Sequence, residues 1–140
     1  ATSIARSVLL DHTVDLPSII GSGDANGGGG LALEIDGSGV VTLGGFTYSA
    51  DFPTTPGAYC ESLLGPSGYN DAYVLRLDPG LNPSDQLLYS TFFGGDADDG
   101  ARALIVGPDG VTTFAGFTGS RDFPVAPVRT KTLTVGDGTT

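Results

Sequence analysis

The chain has 140 residues, 39% of them hydrophobic and 16% charged, with a net charge of −10. That is one ordinary domain with enough apolar side chain for a core, which argues against intrinsic disorder. The acidic balance argues against a nucleic-acid partner or an anionic membrane surface, and no apolar run reaches the ~18 residues of a spanning helix.

In chain order the signals are those of strands, and no stretch carries a helical period with caps. Strands are expected near residues 4–10, 14–20, 31–35 and 40–47. Residues 51–70, with Pro53, Pro56, Gly57, Gly65, Pro66 and Gly68, read as a connector. Tyr73-Val74-Leu75-Arg76-Leu77 is β-branched and aromatic and stops at Asp78-Pro79-Gly80, where Pro fixes φ and Gly permits a positive one. Leu87 to Phe93 is the next strand, closed by Gly94-Gly95. Residues 101–106 and 111–117 flank Gly107-Pro108-Asp109-Gly110, a hairpin turn. Residues 131–135 (Lys131-Thr132-Leu133-Thr134-Val135) read as an extra strand able to pair with a neighbouring sheet.

The chain repeats itself. Gly45-Phe46-Thr47-Tyr48-Ser49-Ala50-Asp51-Phe52-Pro53 returns as Gly116-Phe117-Thr118-Gly119-Ser120-Arg121-Asp122-Phe123-Pro124, an offset of 71 residues. The match extends upstream through residues 31–40 and 102–111. Gly23-Asp24-Ala25-Asn26 resembles Gly95-Asp96-Ala97-Asp98 at an offset of 72. Ser7-Val8-Leu9-Leu10-Asp11 and residues 14–20 are a degraded echo of residues 72–78 and 86–93. Such self-similarity marks a duplicated supersecondary unit. It divides the chain into a degenerate first β unit (1–50), a connector (51–70), a second β unit (71–124) and a tail (125–140).

The expected fold is all-β: two tandem four-stranded antiparallel meanders resembling propeller blades. Two blades do not close a ring that takes about four to eight. The sheets therefore pack as a sandwich, belong to a longer chain, or are completed by neighbouring subunits. Unpaired strand edges are templates for another chain. The absence of Met leads to the further expectation of a processed, excised or partial chain.

Asp71-Ala72-Tyr73-Val74-Leu75-Arg76-Leu77-Asp78-Pro79, Leu88-Tyr89-Ser90-Thr91-Phe92-Phe93-Gly94-Gly95, Asp98-Asp99-Gly100, Pro108-Asp109-Gly110 and Gly116-Phe117-Thr118 with Ser120 and Asp122-Phe123-Pro124 stand in order. Together they resemble the SBBP-type bacterial beta-propeller repeat, and Thr54, Pro56-Gly57-Ala58-Tyr59 fits the segment that follows its D-F-P block. The resemblance spans roughly residues 23–124. It implies a propeller-like fold and an extracellular or cell-surface setting, and it carries over no catalytic residues. The first unit departs from the pattern by lacking the D-A-Y-V and Y-S-T blocks.

Candidate chemistry is sparse. Asp96, Asp98 and Asp99, with Asp24 and Asn26 in the matching loop, are candidate calcium ligands, since Ca²⁺ takes six to eight oxygens. Their spacing is not that of an EF-hand, and the competing reading is carboxylates that cap turn amides. Asp51 and Asp122 read as latches: the carboxylate accepts from loop amides while Phe52 or Phe123 packs between sheets. His12 is the single imidazole, and no G-x-S-x-G elbow accompanies it. Cys60 has no partner and reads as filler of a small apolar gap. Gly27-Gly28-Gly29-Gly30 reads as a loop and not a phosphate cradle, because no Lys-Ser/Thr and no helix follow.

These observations lead to a non-enzymatic extracellular or cell-surface structural protein whose β units self-assemble into a filament, its partners being other copies of itself. Residues 3–10 or 131–135 are the segments available for donation to a neighbour. The alternative is a two-blade part of a larger propeller that binds glycans or surface proteins. No catalytic or cofactor-binding residue is expected, beyond the calcium candidates.

Overall fold

A computed structural model of the chain describes residues 28–125. They are all-β, with strands β1 (Gly28–Ile35), β2 (Val41–Thr47), β3 (Asp71–Leu77), β4 (Leu87–Phe93), β5 (Asp99–Val106) and β6 (Thr112–Thr118). A 3-10 turn at Pro83–Asp85 is the only helical element among the described residues. β1 to β4 form a four-stranded antiparallel sheet in chain order, and β5 and β6 form a separate two-stranded sheet. The strands expected at 4–10, 14–20 and 131–135 lie outside the described residues.

The all-β class expected from the sequence holds, but the four-stranded sheet does not coincide with a repeat unit. It takes β1 and β2 from the first unit and β3 and β4 from the second. The reason lies in the β2–β3 pairing, which runs unbroken from Val41↔Leu77 to Thr47↔Asp71. Side chains alternate across a strand, so this register sets Leu43 beside Leu75 and Val41 beside Leu77 on one face. Tyr73 pairs with Phe92 on that same face. Val41, Tyr73, Leu75, Leu77 and Phe92 are buried there, and residues 51–70 fold back over them. Phe52, Cys60 and Leu63 of that connector complete the cluster, so Cys60 does fill an apolar gap.

The repeat is visible in three dimensions as one hairpin built twice. Leu33↔Leu43 and Ile35↔Val41 in β1–β2 become Leu104↔Phe114 and Val106↔Thr112 in β5–β6. The register shifts at the same place, between Gly30 and Ala32 and between Ala101 and Ala103. A Cβ on Gly45 would collide with the Gly29 carbonyl oxygen, and one on Gly116 with that of Gly100. The two turns match as well. Asp36 N–H donates to Val40 O at 3.0 Å and Gly107 N–H to Val111 O at 2.8 Å, with Gly39 and Gly110 at φ 94° and 78°.

The β5–β6 hairpin packs on the opposite face of the four-stranded sheet. Gly44 makes the approach close: a Cβ there would stand 3.1 Å from Leu104 Cδ2 and 3.3 Å from Ala101 Cβ. Phe114 meets Phe93 edge-on at 5.1 Å. The Glu34 carboxylate accepts the Val106 N–H across the two sheets at 2.6 Å.

Candidate functional site

The residues expected to carry chemistry gather at the end of the hairpin where residues 94–98 link β4 to β5. The structure gives each acid a separate amide. Asp96 Oδ1 accepts the Arg121 N–H at 2.9 Å, and Asp122 Oδ1 accepts the Asp96 N–H at 2.8 Å, a reciprocal pair. Asp98 Oδ1 accepts from Asn70 N–H at 3.1 Å and from its side-chain amide at 2.7 Å. Asp99 is the first residue of β5, fully buried, and its Oδ2 accepts the Gly95 N–H at 3.0 Å and the Ser120 hydroxyl at 2.7 Å.

Asp96, Asp98 and Asp99 thus do not converge on a point, and no group of three metal-ligating side chains is found among the described residues. Their carboxylates cap amides and tie three loops together. Asp24 and Asn26 lie outside the described residues, as does His12. The latch expected for Asp122 is present in its bond to Asp96. Asp51 instead accepts the Ser49 hydroxyl at 2.7 Å. The glycine run is no loop: Gly28, Gly29 and Gly30 belong to β1, where a Cβ on Gly29 would stand 3.2 Å from the Phe46 ring. Small size is needed there for an aromatic ring, not for a phosphate.

Behind this network, Asp71 is fully buried at the start of β3. Its Oδ2 accepts the Leu64 N–H at 2.7 Å, and its Oδ1 has no partner. Burial pushes the Asp71 carboxyl above its usual range against the lowering effect of Leu64 N–H, and the nearby Asp99 and Asp122 carboxylates add to the rise. Burial also lifts the Tyr73 hydroxyl to about 12. Both side chains are buried, and an open cavity lined by Leu64, Gly94, Gly95 and Asp122 lies beside Asp71.

The sheet borders are more informative. The outer border of β4 is covered by its own chain. Thr55 N–H donates to Ser90 O at 3.1 Å, and Ser90 N–H donates to Thr55 Oγ1 at 3.1 Å. Phe92 N–H donates to Cys60 O at 3.0 Å, and Cys60 N–H to Thr91 Oγ1 at 2.9 Å. No sequence pattern marks this cover, because backbone groups and two threonines supply it.

β6 has no such cover among the described residues. Among the described residues nothing pairs with it on the side away from β5. Its counterpart β2 has β3 there. The same sequence pattern therefore sits in two environments: Val40 is 9% exposed and its counterpart Val111 59%, and Thr47 is fully buried whereas Thr118 is exposed. The contrast continues into the following loop. Phe52 packs on Tyr73 and Phe92, which β3 and β4 supply. Phe123, its repeat, is only half-buried.

The outward face of the β5–β6 hairpin exposes Ile105 at 61% and Phe117 at 40%, with the Arg102 guanidinium over the Phe117 ring at 5.0 Å. On the far side of the molecule, the free face of β1–β2 exposes Leu33 at 60% and Ile35 at 44%. Leu33 is the counterpart of Leu104, which already packs against Gly44. Comparison with protein-family models, with curated proteins and with solved structures finds no match for this chain.

Proposed function

We propose that the chain is a non-enzymatic structural protein of the bacterial surface or extracellular space, whose β units assemble with other copies of itself into a filament. One observation carries this reading: β6 repeats β2 in sequence, register and bulge, yet among the described residues it lacks the strand that β2 has beside it. An unpaired strand with an apolar flank is a template for a further strand. The exposed apolar faces at the two ends of the molecule differ from each other, and contacts between unlike surfaces propagate head to tail. The resemblance to the SBBP-type repeat supports the propeller-blade description and the extracellular setting. The engagement of Asp96, Asp98, Asp99 and Asp122 with backbone and hydroxyl donors supports a structural role for those acids.

The test is direct. The purified full chain is examined by light scattering and electron microscopy across a concentration series. Filaments are expected. A stable monomer at every concentration overturns the reading, and closed rings of a few copies overturn the filament.

A further inference from the structure

We infer that the cleft between the β1–β2 and β5–β6 hairpins binds a neutral saccharide, one sugar unit of a glycan chain lying against its aromatic rings. This goes beyond the structural reading above and does not depend on it, because the cleft is formed within a single copy.

The repeat builds this cleft from equivalent positions of both units. The pairing shifts between Gly30 and Ala32 and between Ala101 and Ala103, so Leu31 and Arg102 are the extra residues of two matching bulges. A bulge re-aims the side chain it carries, and both of these line the cleft. Phe46 and Phe117, also counterparts, line it with them. Gly29 and Gly100, the strand partners of those two residues, seat the rings: a Cβ on either glycine would press on the ring opposite it. Tyr48 stands edge-on to Phe46, with ring centroids 6.2 Å apart and an interplanar angle of 88°. The cleft holds about 370 Å³, within the roughly 300–1,000 Å³ of small-molecule sites.

The polar groups decide the ligand. Asn70 lines the cleft and is only 4% exposed. The Asp98 carboxylate accepts the Asn70 side-chain amide at 2.7 Å. An ionised carboxylate only accepts, so this bond fixes which end of the Asn70 amide is the oxygen. Asn70 Oδ1 is then left buried with no donor, a costly state unless a partner arrives. Arg102 holds its guanidinium 5.0 Å from the centre of the Phe117 ring and supplies donors beside it. The ligand must therefore give a hydrogen to Asn70, accept one from Arg102 and offer an apolar face between them. Sugar hydroxyls both donate and accept. The C–H groups on one face of a pyranose ring carry the partial positive charge that the negative face of an aromatic ring attracts. The net charge of −10 weighs against an anionic glycan, and against a nucleobase that brings its phosphates with it. An extended peptide docks chiefly by main-chain pairing along a strand border, whereas the groups in this cleft are side chains.

The full chain is titrated calorimetrically with cellohexaose, xylohexaose, mannohexaose and chitohexaose. At least one is expected to bind at millimolar concentration or below. Arg102→Ala and Phe117→Ala, both at exposed positions, are each expected to weaken that binding about tenfold or more. Ile105→Ala, on the same hairpin but outside the cleft, is expected to leave it unchanged. Binding of none of the four sugars overturns the inference, and so does binding that both cleft variants leave intact. A mixed-sequence peptide pool that binds through Arg102 and Phe117 while no sugar does would make the cleft a peptide site and overturn it as well. Light scattering on the same samples follows assembly separately, so a monomer that binds sugar overturns only the filament.

Discussion

The ring of Phe52 lies 4.5 Å, centroid to centroid, from that of Tyr73, and 5.6 Å from that of Phe92. Phe52 belongs to the Asp-Phe-Pro end of the first repeat, whereas both partners belong to strands of the second. The repeated motif thus acts as a clasp that closes over the two strands arriving after it. Phe123 is the same clasp, and among the described residues no strand lies under it as β3 and β4 lie under Phe52. Phe52→Ala is expected to cost about 3–5 kcal/mol of folding stability, the usual range for emptying a buried aromatic site. Phe123→Ala is expected to cost well under half of that in the dissociated subunit. Denaturant melts of the two variants at a concentration below assembly check this. Equal losses would mean that the two repeats are equally packed in the lone molecule.

Much of this was legible in advance. The strands of the second repeat followed from alternation and from turns such as Asp78-Pro79-Gly80, and the connector character of 51–70 from its prolines and glycines. The sheet boundary was not legible. A periodic sequence looks the same from any starting point, so nothing local says whether β2 ends one sheet or continues into the next. The answer is set by a non-local pairing, Val41↔Leu77 to Thr47↔Asp71. The acids were legible as caps but not their targets, because the amide that meets Asp98 lies 28 residues away on Asn70. Repetition did mark Asp122 and Phe52 as structural, since a latch recurs wherever its loop recurs.

The Glu34 carboxylate bridges the two sheets by accepting the Val106 N–H. Glu34→Ala would leave that amide without its acceptor in a partly buried site, at a cost of about 1–3 kcal/mol. Glu34→Gln keeps an acceptor oxygen and is expected to lose less. The readout is the thermal midpoint of each variant, together with hydrogen exchange at Val106. Faster exchange at Val106 in the alanine variant alone is the expected pattern. Unchanged exchange in both variants would remove Glu34 from the account of how the sheets are held.

Asp71 ties stability to pH with a definite sign. Its folded-state titration lies above the ordinary value of 3.8, because burial penalises the charged form. Its contribution is therefore whole below that value and is lost as pH rises through the folded-state titration. Asp71→Asn removes this titration and keeps an acceptor for Leu64 N–H. The stability difference between variant and wild type is expected to move in the variant's favour between about pH 4 and about pH 7. Asp36 runs the other way: the Ser38 hydroxyl lowers it most, so its contribution is present above 3.8 and lost as pH falls. Comparing the Asp71 pair at each pH cancels that background. A difference that stays flat or moves against the variant would show that Asp71 is ionised without penalty in the fold.

The two hairpins offer an internal control for the role of β6. A strand amide paired on a sheet exchanges only when the sheet opens, whereas an amide facing water exchanges freely. Alternate β2 amides face β3, and the corresponding β6 amides face away from β5 with no partner among the described residues. In dilute subunits those β6 amides are expected to exchange far faster than their β2 counterparts, although the two strands share sequence, register and bulge. In the assembled material the gap is expected to close, because a third strand would then stand beside β6 as β3 stands beside β2. Mass-resolved exchange on peptides covering residues 41–47 and 112–118 measures both states in one sample series. Persistence of the gap in assembled material would mean that copies join elsewhere and leave this border open. Protection of β6 in the lone subunit would mean that the chain covers the border itself, and the physical reason for assembly would be gone.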